Sequence, residues 1–304
     1  MDIRNKKGMF FLMLTLIIIS LFLLSVTFYS GIALRQSVQK RVETLSDFVS
    51  STEEDLSRQI FITGYRAVFY MEKEIVDTGG YLNDTNLLMQ EIFFNGSINS
   101  RIEPLLVPIT FSKLELLIAE RAADISATAD FSSPKINITQ EDPWNVKIIF
   151  TADFFVEDKN GLASWNKTVV VDVLIEISNF IDPVYFVGTA GNVDPLGFAR
   201  TPYSIFDASE LNAHIAGKYY RESIDAPSFL DRLEGNLLAN SSYGVESLVY
   251  VEDIPVSYRT GKSIADHVYF SSANPSGTCQ VSGMASWAKL DGAHRTYYGD
   301  AACA

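Results

Sequence analysis

The sequence predicts an α+β protein. One long N-terminal helix crosses a membrane and continues as a stalk, and an extracellular head of short helices and an antiparallel sheet follows. Three observations carry this. Met9 to Leu34 is a run of apolar and uncharged residues with no Asp, Glu, Lys or Arg until Arg35. Apolar or small residues then recur at the helical period as far as Asp77. Farther on, two runs within 145–177 alternate apolar and other residues about an Asn-Gly pair, the pattern of a β-hairpin. The expected organisation is a basic leader at 1–8, a transmembrane helix at 9–34, a stalk at 35–78, helices plus sheet at 79–180, and a C-terminal α+β subdomain at 181–304.

The apolar run exceeds the roughly 20 residues that a helix needs to cross a hydrocarbon core. Arg4, Lys6 and Lys7 precede it, so the positive-inside bias places the N-terminus in the cytoplasm and the head outside, in a single-pass chain. Beyond it, Val38, Val42, Leu45, Val49, Thr52, Leu56, Ile60, Thr63, Ala67, Tyr70 and Glu74 step at about 3.6 residues. Between Leu34 and Asp77 Gly64 is the one glycine, and no proline is present. The spacing predicts a continuous or once-kinked helix from Met9 to Asp77, ended by Gly79-Gly80 and about 100 Å long at 1.5 Å per residue.

A short helix is expected over Asn83–Phe94, stopped by Asn95-Gly96, and a second one capped by Thr110. Pro104 and Pro108 mark a linker over Ile102–Ile109, and Ala127–Thr139 has strand composition. Val146, Ile148, Phe150, Ala152, Phe154 and Val156 form one alternating face. After Asp158-Lys159-Asn160-Gly161, Val169, Val171, Val173, Ile175 and Ile177 form its counterpart. Prolines and glycines over Asn179–Tyr203 read as an irregular connection. Asp207 with Glu210 starts a helix expected to run to about Ser223, and Pro227 opens another that ends at Gly235. Ser247–Val251 and His267–Phe270 look strand-like.

The 304-residue chain carries a net charge of -13. Since the leader is basic, the remainder holds about -15, which argues against nucleic acid and against a polybasic grip on anionic lipid. Cys279 and Cys303 are the only cysteines. In an exported chain such a pair usually becomes a disulfide, worth about 3 kcal/mol by loop entropy, and two free thiols are the alternative.

Gly31-Ile32-Ala33 has the small-x-small form of a secretory cleavage site, but the apolar run is longer than the usual signal core. Lys6-Lys7-Gly8, followed at once by Met9-Phe10-Phe11 and a long apolar helix, resembles the class III signal of type IV pilin-like proteins. The likeness covers about the first 35 residues. It implies cleavage between Gly8 and Met9 by a prepilin-type peptidase, with the helix retained for self-assembly into a filament. Met13 stands where many bacterial pilins carry Glu, a residue that archaeal relatives often lack. Pro227-Ser228-Phe229-Leu230-Asp231-Arg232-Leu233-Glu234-Gly235-Asn236 and Tyr243-Gly244-Val245-Glu246-Ser247-Leu248 are similar to stretches of uncharacterised archaeal surface proteins, a likeness that implies no activity.

Five glycosylation sequons lie beyond the apolar run, at Asn83, Asn95, Asn137, Asn166 and Asn240. Gly261-Lys262-Ser263 matches the end of a P-loop, yet Val256 stands where the first glycine belongs. His214, His267 and His294 have no metal-ligand spacing, although Asp266 and Asp291 could orient the last two. No Gly-x-Ser-x-Gly elbow is present. Glu53-Glu54-Asp55, Glu141-Asp142 and Glu157-Asp158 are acidic, but Lys159 opposes a calcium loop at Asp158 and a turn explains that stretch better. No catalytic, cofactor or metal signature emerges. The expectation is a pilin-like, membrane-anchored structural or interaction protein with lipid and sister subunits as partners. A monomeric ligand-binding module comes second and an extracellular enzyme third.

Overall fold

A computed structural model of the chain describes residues 3–203, 207–238 and 240–304, without the side chains of 3–7, 30, 33 and 34. The side chains of Arg4, Lys6 and Lys7 in the leader, and of Ala33 and Leu34 at the end of the apolar run, therefore lie outside the described residues. The fold is α+β, with an N-terminal apolar helix and small sheets.

Helix α1 spans Ile3–Thr78, 76 residues without interruption. It ends where expected. Gly79 adopts φ +71°, a left-handed conformation that only glycine reaches cheaply, and its N–H closes on Ile75 O at 2.8 Å. Helix α2 (Thr85–Asn95) is capped by Asp84, whose side chain accepts from Leu87 N, and closed by left-handed Gly96. Helix α3 (Phe111–Asp124) departs from expectation at its start. The Thr110 hydroxyl turns back to Val107 O at 3.0 Å instead of capping, because the expected linker tightens into a 3-10 turn at Val107–Ile109. Strands β1 (Ala127–Asp142), β2 (Asn145–Asp158) and β3 (Ser164–Glu176) form a three-stranded sheet in that order.

Two compact units can be distinguished. The first comprises Met1–Glu54, Ile118–Asp130 and Phe154–Lys167. Leu45, Phe48 and Val49 of α1 and Phe154 and Val156 of β2 are buried in it. Arg41 donates to the Asp158 carboxylate, to Ile125 O and to Ser126 O. Asp158 also accepts from Asn160 N at 2.9 Å, so this carboxylate organises a turn and carries Arg41 as its counter-ion.

The second unit comprises Asp55–Leu117, Phe131–Asp153 and Thr168–Ala304. Here α1 lies against the sheet through Gly64. A Cβ at that position would sit 2.7 Å from both Ile148 Cγ1 and Ile175 Cδ1. The glycine thus permits a close helix–sheet approach, and the helix continues through it without interruption. Phe93, Phe111 and Phe150 stack within 5.6–6.1 Å of one another beneath the sheet.

The C-terminal part of this unit is built of single-turn and short elements. They are α4 (Val184–Gly188), α5 (Ala208–Gly217), α6 (Phe229–Glu234), α7 (Asp266–Phe270) and α8 (Gly292–Tyr298). Asp207 caps α5 as expected, but the helix stops at Gly217, well before Ser223. Lys218 turns left-handed, and Tyr220 leaves to bond Ala199 O, an extended path that suits its aromatic neighbours. Ser228 and Asp231 form a reciprocal capping box on α6. The strand expected at His267–Phe270 is one helical turn, closed by Tyr269 N to Ala265 O at 2.8 Å. Four alternating residues are too few to separate the two periods. A core that includes Tyr185, Leu211, Tyr269, Leu290 and Tyr298 ties α4, α5, α7 and α8 together. Cys279 and Cys303 are disulfide-bonded, with Cα atoms 5.7 Å apart.

Candidate functional site: a polar cleft above a buried charge network

The feature that demands explanation is a set of charges with almost no access to water. It begins with a two-residue antiparallel ladder that pairs Arg221 with Glu246 and Glu222 with Val245. Side chains alternate across such a ladder. Arg221 and Glu246 therefore turn inward together, while Glu222 faces out.

Arg232, on α6, is fully buried. Its guanidinium donates to Asp182, to Asp266 Oδ2 at 2.7 Å, and to Val245 O at 2.8 Å from Nη2 and 3.2 Å from Nε. Tyr220 donates to Asp182 at 2.8 Å, and Ser247 donates to Asp266 through its N–H and its hydroxyl at 3.0 and 2.9 Å. The two carboxylates respond differently. Burial pushes the Asp182 carboxyl up, only partly opposed by Arg232. Burial would also raise Asp266, but Arg232 and His267 outweigh it and hold that carboxyl well below the usual range.

A second chain of contacts adjoins the first. His294 meets Glu246 Oε2 at 3.1 Å through Nε2 and Asp291 Oδ2 at 2.8 Å through Nδ1. Asp291 caps α8 and also accepts from the Ser263 hydroxyl. Arg221 pairs with Glu246. Burial disfavours the His294 cation, yet the flanking carboxylates overcome it and push the pKa up to about 10. Glu246 moves the other way, to about 2, because His294 and Arg221 outweigh its burial. His294 is thus an imidazolium with both nitrogens donating, a structural cation and not a base at neutral pH. The Ser263 hydroxyl is aimed at Asp291 and not at a histidine, which reverses the order that an activated nucleophile requires.

Arg221 connects this network to the surface. Its guanidinium lies 3.6 Å over the Tyr297 ring. Tyr297 forms one wall of an open cleft of about 340 Å³, whose lining also includes Trp144, Arg200, Tyr203 and Glu222. Arg200 sits 4.9 Å over Trp144 and reaches Glu222 Oε1 at 3.1 Å. Trp144 Nε1 donates to the same oxygen at 2.6 Å. Behind the cleft, Thr201 is 2.8 Å from His214 Nε2, and burial lowers that histidine to about 4, so it is neutral.

The residues singled out from sequence are scattered. Gly8 and Met9 are exposed within α1. Asn83, Asn95, Asn137, Asn166 and Asn240 are all exposed, on α2 or beside it, on β1, on β3 and in a loop. In the P-loop-like stretch, Lys262 Nζ donates to Ser271 O and Ser263 is buried, so neither faces an open phosphate cradle. Among the described residues no group of three or more His, Cys, Asp or Glu is placed to hold a metal ion. Sequence reasoning missed Asp182, Arg232, Glu246 and the cleft residues as a set. A signal was present, because two stretches likened to archaeal surface proteins contain Arg232 and Glu246. The chain matches no protein-family model, no curated protein and no solved structure at a significant level.

Proposed function

We propose that this chain is a membrane-anchored surface protein of the type IV pilin-like kind, with a cytoplasmic N-terminus and an extracellular interaction head. One observation carries the reading. Gly8–Tyr29 is a 22-residue apolar stretch of α1 with none of it buried, in a helix whose later turns are packed into the fold. Exposed apolar surface of that extent needs lipid or other apolar helices around it. A signal sequence near the N-terminus can also be a helix this apolar, so the fate of the segment decides between readings. In the proposed arrangement Gly8-Met9 is the processing point. The helix then stays in lipid or assembles with sister helices. The head, whose β2 and β3 we read as an antiparallel hairpin, carries glycans on its exposed sequons.

Mass spectrometry of the mature N-terminus tests this. A start at Met9 supports pilin-like processing and an intact Met1 supports a plain anchor, whereas a start at Leu34 overturns both. Electron microscopy of surface preparations separates a filament from a lone anchor. A second reading, a monomeric binding module, is favoured by the aromatic cleft at Trp144 and Tyr297.

A further inference from the structure

We propose that the cleft between Trp144, Arg200, Tyr203, Glu222 and Tyr297 is a binding site for a neutral hexopyranose unit of a glycan. The inference stands apart from the membrane reading, because every residue of the cleft belongs to the second compact unit.

The charge balance points away from an anion. Arg200 is matched by Glu222 and Arg221 by Glu246, so each cation at the cleft already has a carboxylate. An incoming anion would have to displace one of them, and His214 behind the cleft is neutral. The balance also points away from an apolar ligand, because the aromatic walls are interleaved with planar polar groups. What remains is a ligand with apolar C–H faces and a rim of hydroxyls that both donate and accept. A pyranose has both.

The functional groups fit that chemistry. Tyr297 is 45% exposed and offers the ring surface, whereas Trp144, 6% exposed with Arg200 over its ring, backs the cleft and fixes Glu222. Glu222 Oε1 takes the bonds from Trp144 and Arg200, which leaves Oε2 to accept from a sugar hydroxyl. The outer N–H groups of Arg200, whose side chain is 64% exposed, can donate to the neighbouring hydroxyl. Adjacent acceptor and donor match a vicinal diol. The volume, about 340 Å³, is at the small end of ligand sites and suits one or two rings.

The buried network supplies rigidity. Tyr297 rests on Arg221, Arg221 on Glu246, Glu246 on His294 and His294 on Asp291. A wall held by four successive polar contacts loses little freedom on binding. This accounts for a chain of buried charges ending at an open cleft, which stability alone would not require.

The test uses the full chain in micelles of a detergent without a sugar headgroup. Methyl glucoside, methyl galactoside and the methyl glycoside of N-acetylglucosamine are titrated by saturation-transfer NMR and tryptophan fluorescence, with acetate as the anion control. The expected result is saturable binding of at least one glycoside, weakened tenfold or more in Arg200→Ala and in Tyr297→Ala. Both variants should keep the unfolding midpoint of the parent, which shows that the fold survives. Binding unaltered by both substitutions, no saturable binding of any glycoside by folded protein, or acetate binding as tightly as the sugars would each overturn the proposal.

Discussion

The first turns of α1 and the interior of the C-terminal region invert each other. Along Gly8–Tyr29 large apolar side chains such as Phe10, Phe22 and Phe28 stand about 70% exposed. Around Arg232, four ionisable side chains (Asp182, Glu246, Asp266 and Arg232 itself) are buried to within a few per cent. Each arrangement would be unfavourable alone, and each is resolved in a different place. The apolar helix leaves its need open, to be met by molecules outside the chain. The charges are paired internally: Arg232 with Asp182 and Asp266, and Glu246 with His294 and Arg221. Exposure therefore marks the segment for which we propose lipid or sister helices as partners, whereas the buried charges find their counter-charges inside the fold.

The largest effect should come from breaking the inner half of the comparison. Arg232→Met strands Asp182 and Asp266 without their cation and should cost about 3–5 kcal/mol, measured by chemical denaturation. Adding Asp182→Asn and Asp266→Asn should restore much of it, and a variant no better than Arg232→Met would contradict the pairing account. The outer half is broken by Ile18→Arg. In the anchor proposed above, a charge at the middle of the apolar segment should cost insertion about 2.5–3.5 kcal/mol and move protein out of the carbonate-resistant membrane fraction.

Replacing both Cys279 and Cys303 by Ser should lower stability by about 3 kcal/mol, since the bridge closes 24 residues of sequence separation in a region of single-turn elements. A smaller loss, about 1–3 kcal/mol from overpacking, is expected for Gly64→Ala, despite the better helix propensity of alanine. Ile148 and Ile175 leave no room for the methyl group. If the unfolding midpoint rises instead, the close approach of helix and sheet is wrong.

The subtlest effect is the pH profile. His294 titrates near 10 in the fold against an ordinary 6.5, so the stability it contributes is complete below about 6.5 and fades as pH rises toward 10. Glu72, buried and raised to about 9, acts in the same direction, with loss starting above its ordinary 4.5. Glu246, lowered to about 2, contributes fully above 4.5 and loses its contribution as pH falls toward 2. Thermal melts across pH should thus decline on the alkaline side, and the decline should be shallower in His294→Gln.

Much of the architecture is legible without coordinates. Helix α1 and its stop at Gly79 follow from a 3.6 period sustained over many turns and closed by glycine, because local geometry alone dictates both. Alternation located β2 and β3, whose buried faces are the apolar residues named from the sequence. Asp207 located the start of α5 as its cap, and Pro227 located α6 to within two residues, the cap itself being Ser228. Short elements escaped. At His267–Phe270 a few residues satisfy either period, and at Tyr219–Tyr220 the chain leaves the helix for bonds to Ala199.

By itself, then, the sequence determined the elements whose physics is periodic: the apolar helix, its continuation and stop, and the alternating strands. Only the tertiary structure decided which charges meet. Asp182, Arg232, Glu246, Asp266 and His294 lie up to about a hundred residues apart, and no spacing rule relates them, since a buried ion pair depends on spatial proximity and shared desolvation. The same holds for the cleft, where Trp144 and Tyr297 become walls of one site only after folding.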